Sequence, residues 1–378
     1  MKRLTVRQRD KWAENFEKLG FTFHSMDGLY WNEGVCYEFS GEEIDHLEEV
    51  TGELHEMCLK SVSYVIDNNL FSKLSIPDAF GDLIKKSWAR RDPSIYGRFD
   101  FSYDGRSEPR LLEYNADTPT SVFESSIAQW VWLEDMFPDY DQFNSIHEKL
   151  LDAFTEARRY MPPFKPVYFS CVKDHEEDLV TVEYMRDVAV QAGLDARFVF
   201  IEDIGYSSET YMFYDLDNNE IEFLFKLYPW EWIISDPFGK YVLFETVKFF
   251  EPPWKMILSN KGILPILWEM YPGHPNLLPS YFEPSKLKNK YIKKPLLSRE
   301  GANISFYNSS YSVENTEGSY GAEGYIYQEA RQLPCFEGSY ALVGSWVVNG
   351  LAAGIGIRED KTPITKNTSK FVPHYFKP

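Results

Sequence analysis

The chain has 378 residues, 44% of them hydrophobic and 17% aromatic, which is enough apolar material for a large folded core and argues against an acidic disordered tail. Its 39 basic and 58 acidic residues leave a formal charge of −19, which disfavours broad attraction to DNA, RNA or anionic lipid but leaves room for a local basic pocket. The cysteines Cys36, Cys58, Cys171 and Cys335 are far apart without metal-ligand spacing, and no segment reaches membrane-spanning length, so a reduced, cytoplasmic protein that does not enter membranes is expected.

Apolar residues recurring among charges predict helices over about 5–20, 41–70 and 77–90. In the second, Ile44, Leu47, Val50, Leu54, Met57 and Val65 form a core-facing stripe, and Glu42, Glu43, Asp45, Glu48, Glu49, Glu53 and Glu56 read as a solvated face. Tyr96 to Tyr103 and Arg110 to Asn115 read as strands around the turn Asp104-Gly105-Arg106-Ser107, which predicts an antiparallel hairpin. Helical spacing returns over 121–160 and stops at Pro162-Pro163. Val167 to Val172, Glu176 to Gln191 and Ala196 to Ile201 then read as strand, helix and strand, the unit of an α/β lobe. Residues 211–214 and 221–228 predict a second hairpin, 230–250 an aromatic and partly helical stretch, and 254–259 a short helix after Pro252-Pro253. Beyond a polar linker near 283–290, Tyr291 to Pro295 leads into a loop over 297–304, and strands are expected at 324–329 and 341–348. No repeat or extended heptad is present, so the oligomeric state stays open.

In an extended strand, residues two apart share a face, so Arg98 can point with Asp100, and Glu113 with Asn115. Two readings fit that arrangement: an ordinary polar strand face, or Asp100, Glu113 and Asn115 around one hard divalent cation with Arg98 reaching phosphate. Thr118 and Thr120 follow as helix caps or as donors to substrate or phosphate. Lys255, Lys294 and Arg299 are either surface cations or phosphate contacts, and the segment Tyr325 to Glu329 is either a buried strand or the wall of an adenine pocket with Gln328 and Glu329 beside it. There is no P-loop and no G-x-G-x-x-G fingerprint, so nucleotide binding needs another architecture.

Taken in order, Tyr96-Gly97-Arg98-Phe99-Asp100, Leu112-Glu113-Tyr114-Asn115-Ala116-Asp117-Thr118-Pro119-Thr120, Lys294-Pro295, Ser298-Arg299-Glu300-Gly301-Ala302-Asn303-Ile304, Tyr327-Gln328-Glu329 and Gly356-Ile357-Arg358-Glu359-Asp360 resemble the glutathionylspermidine synthetase family in its ATP-grasp-like portion. The resemblance spans nearly the whole chain and implies an α/β (α+β) fold, a circularly permuted ATP-grasp-like arrangement of packed lobes. Those lobes are expected at about 1–160, 161–282 and 283–378, with the active site between them. The amidase domain of bifunctional relatives is not expected in this chain.

By the same resemblance, ATP and Mg²⁺ are the implied cofactors, with Asp100, Glu113 and Asn115 on the metal and Arg98 on the transferring phosphate. Lys255 and Lys294 are implied on nucleotide phosphate, Gln328 and Glu329 near adenine, Arg299 on an active-site loop, Arg358 near nucleotide or organic substrate, and Thr118 and Thr120 at the substrate. The expected reaction is ATP-dependent carboxylate–amine ligation through an acyl phosphate, acting on small molecules such as a glutathione-like peptide and a polyamine or amino compound. A small-molecule kinase or ATPase, or a noncatalytic nucleotide-binding protein, is the alternative.

Overall fold

The helix predicted over 41–70 runs from Gly41 to Asp67 in the computed structural model, which describes residues 1–25, 28–287, 290–299, 301–308, 311–363 and 369–377, the side chains of 311–314 excepted. Glu300 of the predicted loop therefore lies outside the described residues. Ser40 starts the helix: its hydroxyl accepts from the Glu43 N–H while the Glu43 carboxylate accepts from the Ser40 N–H, which satisfies two end donors. The stripe from Ile44 to Val65 is buried, and Glu42, Asp45, Glu48, Glu49, Glu53 and Glu56 are exposed.

That stripe lies on a central antiparallel sheet, in the order Lys370–Val372, Leu351–Asp360, Ser339–Val348, Tyr96–Ser102 and Arg110–Asn115, with Cys335–Phe336 also paired to Ser339–Val348. The predicted early hairpin is thus joined to a late one, Asp100 lying opposite Gly344 and Arg98 opposite Trp346. Phe99, Tyr114 and Ser345 form one row, and the Ser345 hydroxyl bonds Thr51 of the long helix at 2.7 Å. Strand alternation then turns Arg98, Asp100, Glu113 and Asn115 to the opposite face.

A parallel sheet follows the α/β expectation, in the order Lys248–Phe250, Phe223–Lys226, Val167–Ser170 and Ala196–Phe198, with the helix Glu176–Gln191 crossing over. Three local readings need correction. Only Glu220–Ile221 pairs with Met212–Tyr214, whereas Phe223–Lys226 enters the parallel sheet, because its continuous run Phe223, Leu224 and Phe225 is buried on both faces. The helix over 121–160 is broken into a π-turn at Glu124–Ala128 and helices Gln129–Met136 and Ile146–Ala157, with Pro138 in the gap. The first helix is confined to Trp12–Lys18, since Lys2–Thr5 is a strand paired with Val35–Ser40.

A further antiparallel sheet, in the order Ser280–Tyr281, Tyr325–Glu329, Lys290–Pro295, Ser305–Asn308 and Tyr311–Asn315, brings Lys294 over the early hairpin. Among the described residues no helix is long and apolar enough to cross a membrane.

Candidate active site

The hairpin register puts Arg98 opposite Asn115 and Asp100 opposite Glu113, so four polar side chains meet on one strand face. The buried Asp100 carboxylate accepts from Arg98 Nε at 2.7 Å, from Arg358 Nη2 at 3.0 Å and from Asn115 Nδ2 at 3.2 Å. Asn115 also donates to Glu113 at 3.3 Å, and Glu113 pairs with Lys261 Nζ at 3.0 Å. Gly344 leaves the space for this cluster, because a Cβ there would lie 2.8 Å from Arg98 Cδ.

Burial alone would raise the Glu113 pKa, but Lys261 and Lys294 hold it well below the usual carboxylate range, so the group is ionised. Among the described residues no three His, Cys, Asp or Glu side chains converge as a protein-built metal cage. Two carboxylates and an amide oxygen nevertheless match Mg²⁺, which takes few protein ligands and completes its shell with water and phosphate. A half-turn of the Asn115 amide would present its oxygen to the two carboxylates it now donates to.

Lys294 reaches the same hairpin from the opposing sheet. Leu112 is the extra residue of a β-bulge, since Asp100 pairs with Glu113 but Phe101 pairs with Leu111. Lys294 Nζ donates to the Leu112 carbonyl at 3.0 Å and to Gln328 Oε1 at 2.8 Å. Glu329, next along that strand, is exposed, and its N–H donates to the Pro279 carbonyl, so Gln328 faces the site and the Glu329 side chain does not. Burial lowers the Lys294 pKa to about 8, with Glu113 opposing the shift. Lys294 is therefore charged below that pH and neutral above it, and the KM for nucleotide should climb between pH 7 and 9 with a midpoint near 8. The Lys294→Met variant should show a raised KM and no such rise, which steady-state kinetics across that pH range would read directly.

Lys255 does not join this group. Its Nζ is buried behind the sheet, where it donates to the carbonyls of Tyr96 and Ala116 at 3.0 Å each and pairs with Glu251 at 3.3 Å, near Tyr114 and His55. The cation that does reach Glu113 is Lys261, which also donates to the Ser298 carbonyl. In the sequence Asn260-Lys261-Gly262 reads only as a turn ahead of the apolar run Ile263 to Leu267, which does not place the lysine at Glu113.

The polar face of the hairpin opens into a cleft of about 930 Å³ lined by Arg98, Arg299 and Arg358, by Thr118 and Thr120, and by Glu177, Asp178 and Trp232. Arg98 Nη1 donates to the Thr120 carbonyl at 2.8 Å, and Arg299 Nη2 approaches that of Thr118 at 3.4 Å. The Arg299 guanidinium also lies 5.9 Å from the Trp232 ring and 3.9 Å from the Glu231 carboxylate. An adjoining recess of about 460 Å³ shares Glu113, Asn115, Thr118 and Arg299 and adds Glu231 and Lys261. Burial raises the pKa of both Glu177 and Glu231, with Thr120 opposing it at the first and Arg299 at the second. The guanidinium groups can neutralise phosphate and carboxylate, and the carboxylates with the Trp232 ring can hold a cation.

Residues 3–377 match the family model described as glutathionylspermidine synthase preATP-grasp. Among curated proteins, one from Haemophilus influenzae named "Putative acid--amine ligase" is 43% identical over 100% of both chains. Trypanothione synthetase from Crithidia fasciculata is 29% identical over 84% of this chain, which spans 53% of that protein. Among solved structures, a glutathione synthetase-like effector from Globodera pallida aligns with a TM-score of 0.53 at 11% identity, covering 90% of this chain and 89% of the other, which is a likeness of fold.

Proposed function

Because the chain belongs to the glutathionylspermidine synthase preATP-grasp family, and so to the ATP-dependent ligases that form amides, we propose that it condenses the carboxylate of a glutathione-like peptide with a polyamine or other amino compound. The observation that carries this reading is one cleft lined both by cations, Arg98, Arg299 and Arg358, and by acidic and aromatic groups, Glu177, Asp178 and Trp232. Phosphoryl transfer alone needs only the cations. An amine acceptor needs the other groups, where carboxylates pair with its ammonium and an indole face attracts it.

In the proposed mechanism a carboxylate oxygen of the first substrate attacks the γ-phosphorus of ATP, the bond to the β-phosphate oxygen breaks, and ADP leaves an acyl phosphate. Arg98, Lys261 and Lys294 neutralise the phosphate oxygens and hold the reacting groups in line. Asp100, Glu113 and Asn115 would hold Mg²⁺, which when bound shields phosphate charge. The docked ammonium then gives one proton to Glu177, whose pKa burial raises, and the neutral nitrogen attacks the carbonyl carbon; the C–O bond to phosphate breaks, the departing phosphate takes the second proton from nitrogen, and an amide forms. The lobes 1–160, 161–282 and 283–378 would each contribute, through Arg98, Trp232 and Arg358 respectively. A cytoplasmic location belongs to the same reading and is supported by four free cysteines.

The test combines the protein with Mg²⁺, ATP and pairs of carboxylates and amines, glutathione and polyamines among them, and follows products by mass spectrometry. A condensed product with equal ADP and phosphate is expected. ADP with an organic phosphate, or ADP alone across all pairs, would replace the ligase by a kinase or an ATPase.

A further inference from the structure

Buried beside the cleft, with Asp117 lining the adjoining recess, lies an ion pair to which the proposed chemistry gives no role. Asp117 and Lys226 are both buried, with Oδ1 and Nζ 2.6 Å apart. The second carboxylate oxygen, Oδ2, accepts the backbone N–H of Trp230 at 2.9 Å. Asp117 immediately precedes Thr118. Lys226 ends the strand Phe223–Lys226, its ammonium 4.7 Å from the Trp230 ring, and Trp230 opens the short helix that carries Glu231 and Trp232. One carboxylate therefore ties three pieces of backbone together: the turn after the Arg98–Asn115 hairpin, the end of a parallel strand, and the segment that carries Glu231 and Trp232.

A buried pair of this kind contributes little net stability beside well-packed apolar side chains of the same volume, because desolvating both ions offsets most of their attraction. What it supplies is distance. Apolar groups can slide past one another, whereas an ammonium, a carboxylate and an N–H at hydrogen-bond length fix one separation. Arg299 spans that same gap, from the Thr118 carbonyl to Glu231 and Trp232, but only through long contacts of 3.4 to 5.9 Å.

We propose that Asp117 and Lys226 are positioning residues for the acceptor amine, setting the separation between Thr118 and the Glu231-Trp232 segment on which that amine docks. The inference rests on the ligase reading above. Asp117→Ala alone would leave the Lys226 ammonium buried without its partner and is expected to fold poorly, so the informative variant is Asp117→Ala/Lys226→Met, which removes both charges. Three quantities are compared with the unmodified chain: KM for the amine, KM for ATP, and hydrogen exchange of the amides across Trp230–Ser235.

The expected result is an amine KM raised at least tenfold, an ATP KM within twofold, and faster exchange at Trp230 and its neighbours. An amine KM within twofold of the unmodified value, or an equal rise in both KM values, would overturn the proposal, since a pair with only a structural role moves both or neither. If the unmodified chain turns over ATP but condenses no pair of substrates, the ligase reading fails. Exchange then decides: unchanged exchange across Trp230–Ser235 in the double variant would sink the positioning role as well, and faster exchange would keep it for whatever molecule the cleft holds.

Discussion

Asp100→Asn should lower Mg²⁺- and ATP-dependent turnover by about a thousandfold, the scale of losing one preorganised charge contact at a reacting phosphate. Asp100 is the hub of the polar hairpin face, accepting from Arg98, Arg358 and Asn115 at once. The substitution keeps the shape and one acceptor oxygen but leaves two guanidinium groups facing each other without the carboxylate that bonds both, Glu113 being the counter-charge that remains. Stability should therefore fall by about 3 kcal/mol, the lower end for breaking a buried pair. Saturating ATP should restore much of that loss, since triphosphate supplies the missing negative charge, yet it should not restore turnover. Denaturant titration with and without nucleotide, beside kcat at saturating Mg²⁺, separates the two effects. A kcat within tenfold of the unmodified enzyme would remove Asp100 from the metal set.

Two lysines six residues apart should fail in opposite ways. Lys261→Met should raise the KM for ATP by roughly tenfold to a hundredfold, the worth of one charge-assisted contact, with a smaller loss of stability than at Lys255, because Glu113 keeps Lys294 as a second cation. Lys255→Met should instead lower stability by about 3–5 kcal/mol and leave that KM nearly unchanged. It strips the Tyr96 and Ala116 carbonyls of their donor and leaves the buried Glu251 without its ion pair. Urea midpoints and KM values for both variants decide the matter, and the reverse pattern would return Lys255 to the phosphate site.

This pair of residues also shows where reading the sequence stops. The hairpin of Arg98, Asp100, Glu113 and Asn115 was legible because strand alternation and the Asp104-Gly105 turn are local, and local rules fix which side chains share a face. Lys255 and Lys261 differ only in which side of a distant sheet their backbone reaches, and no spacing encodes that. Arg358 was placed near the site by resemblance, but its contact with Asp100 spans 258 residues and depends on a sheet register that periodicity does not specify. The same limit applies to Phe223–Lys226, whose apolar run fits either a hairpin arm or a doubly buried strand until its neighbours are known. Asp117 was visible as part of a motif, whereas its pairing with Lys226 was not.

The union of the early hairpin with the late one bears on how the protein is made. A ribosome adding about 5–20 residues per second needs roughly 10–50 seconds between Asp100 and Arg358, 258 positions later. Throughout that interval Tyr96–Ser102 has no Ser339–Val348 to pair with, and its inner edge stays open. The nascent chain must therefore carry an unpaired strand edge and an unassembled candidate site until translation is nearly finished, which makes the 96–115 segment the natural point of chaperone attention and the place where premature release would start aggregation.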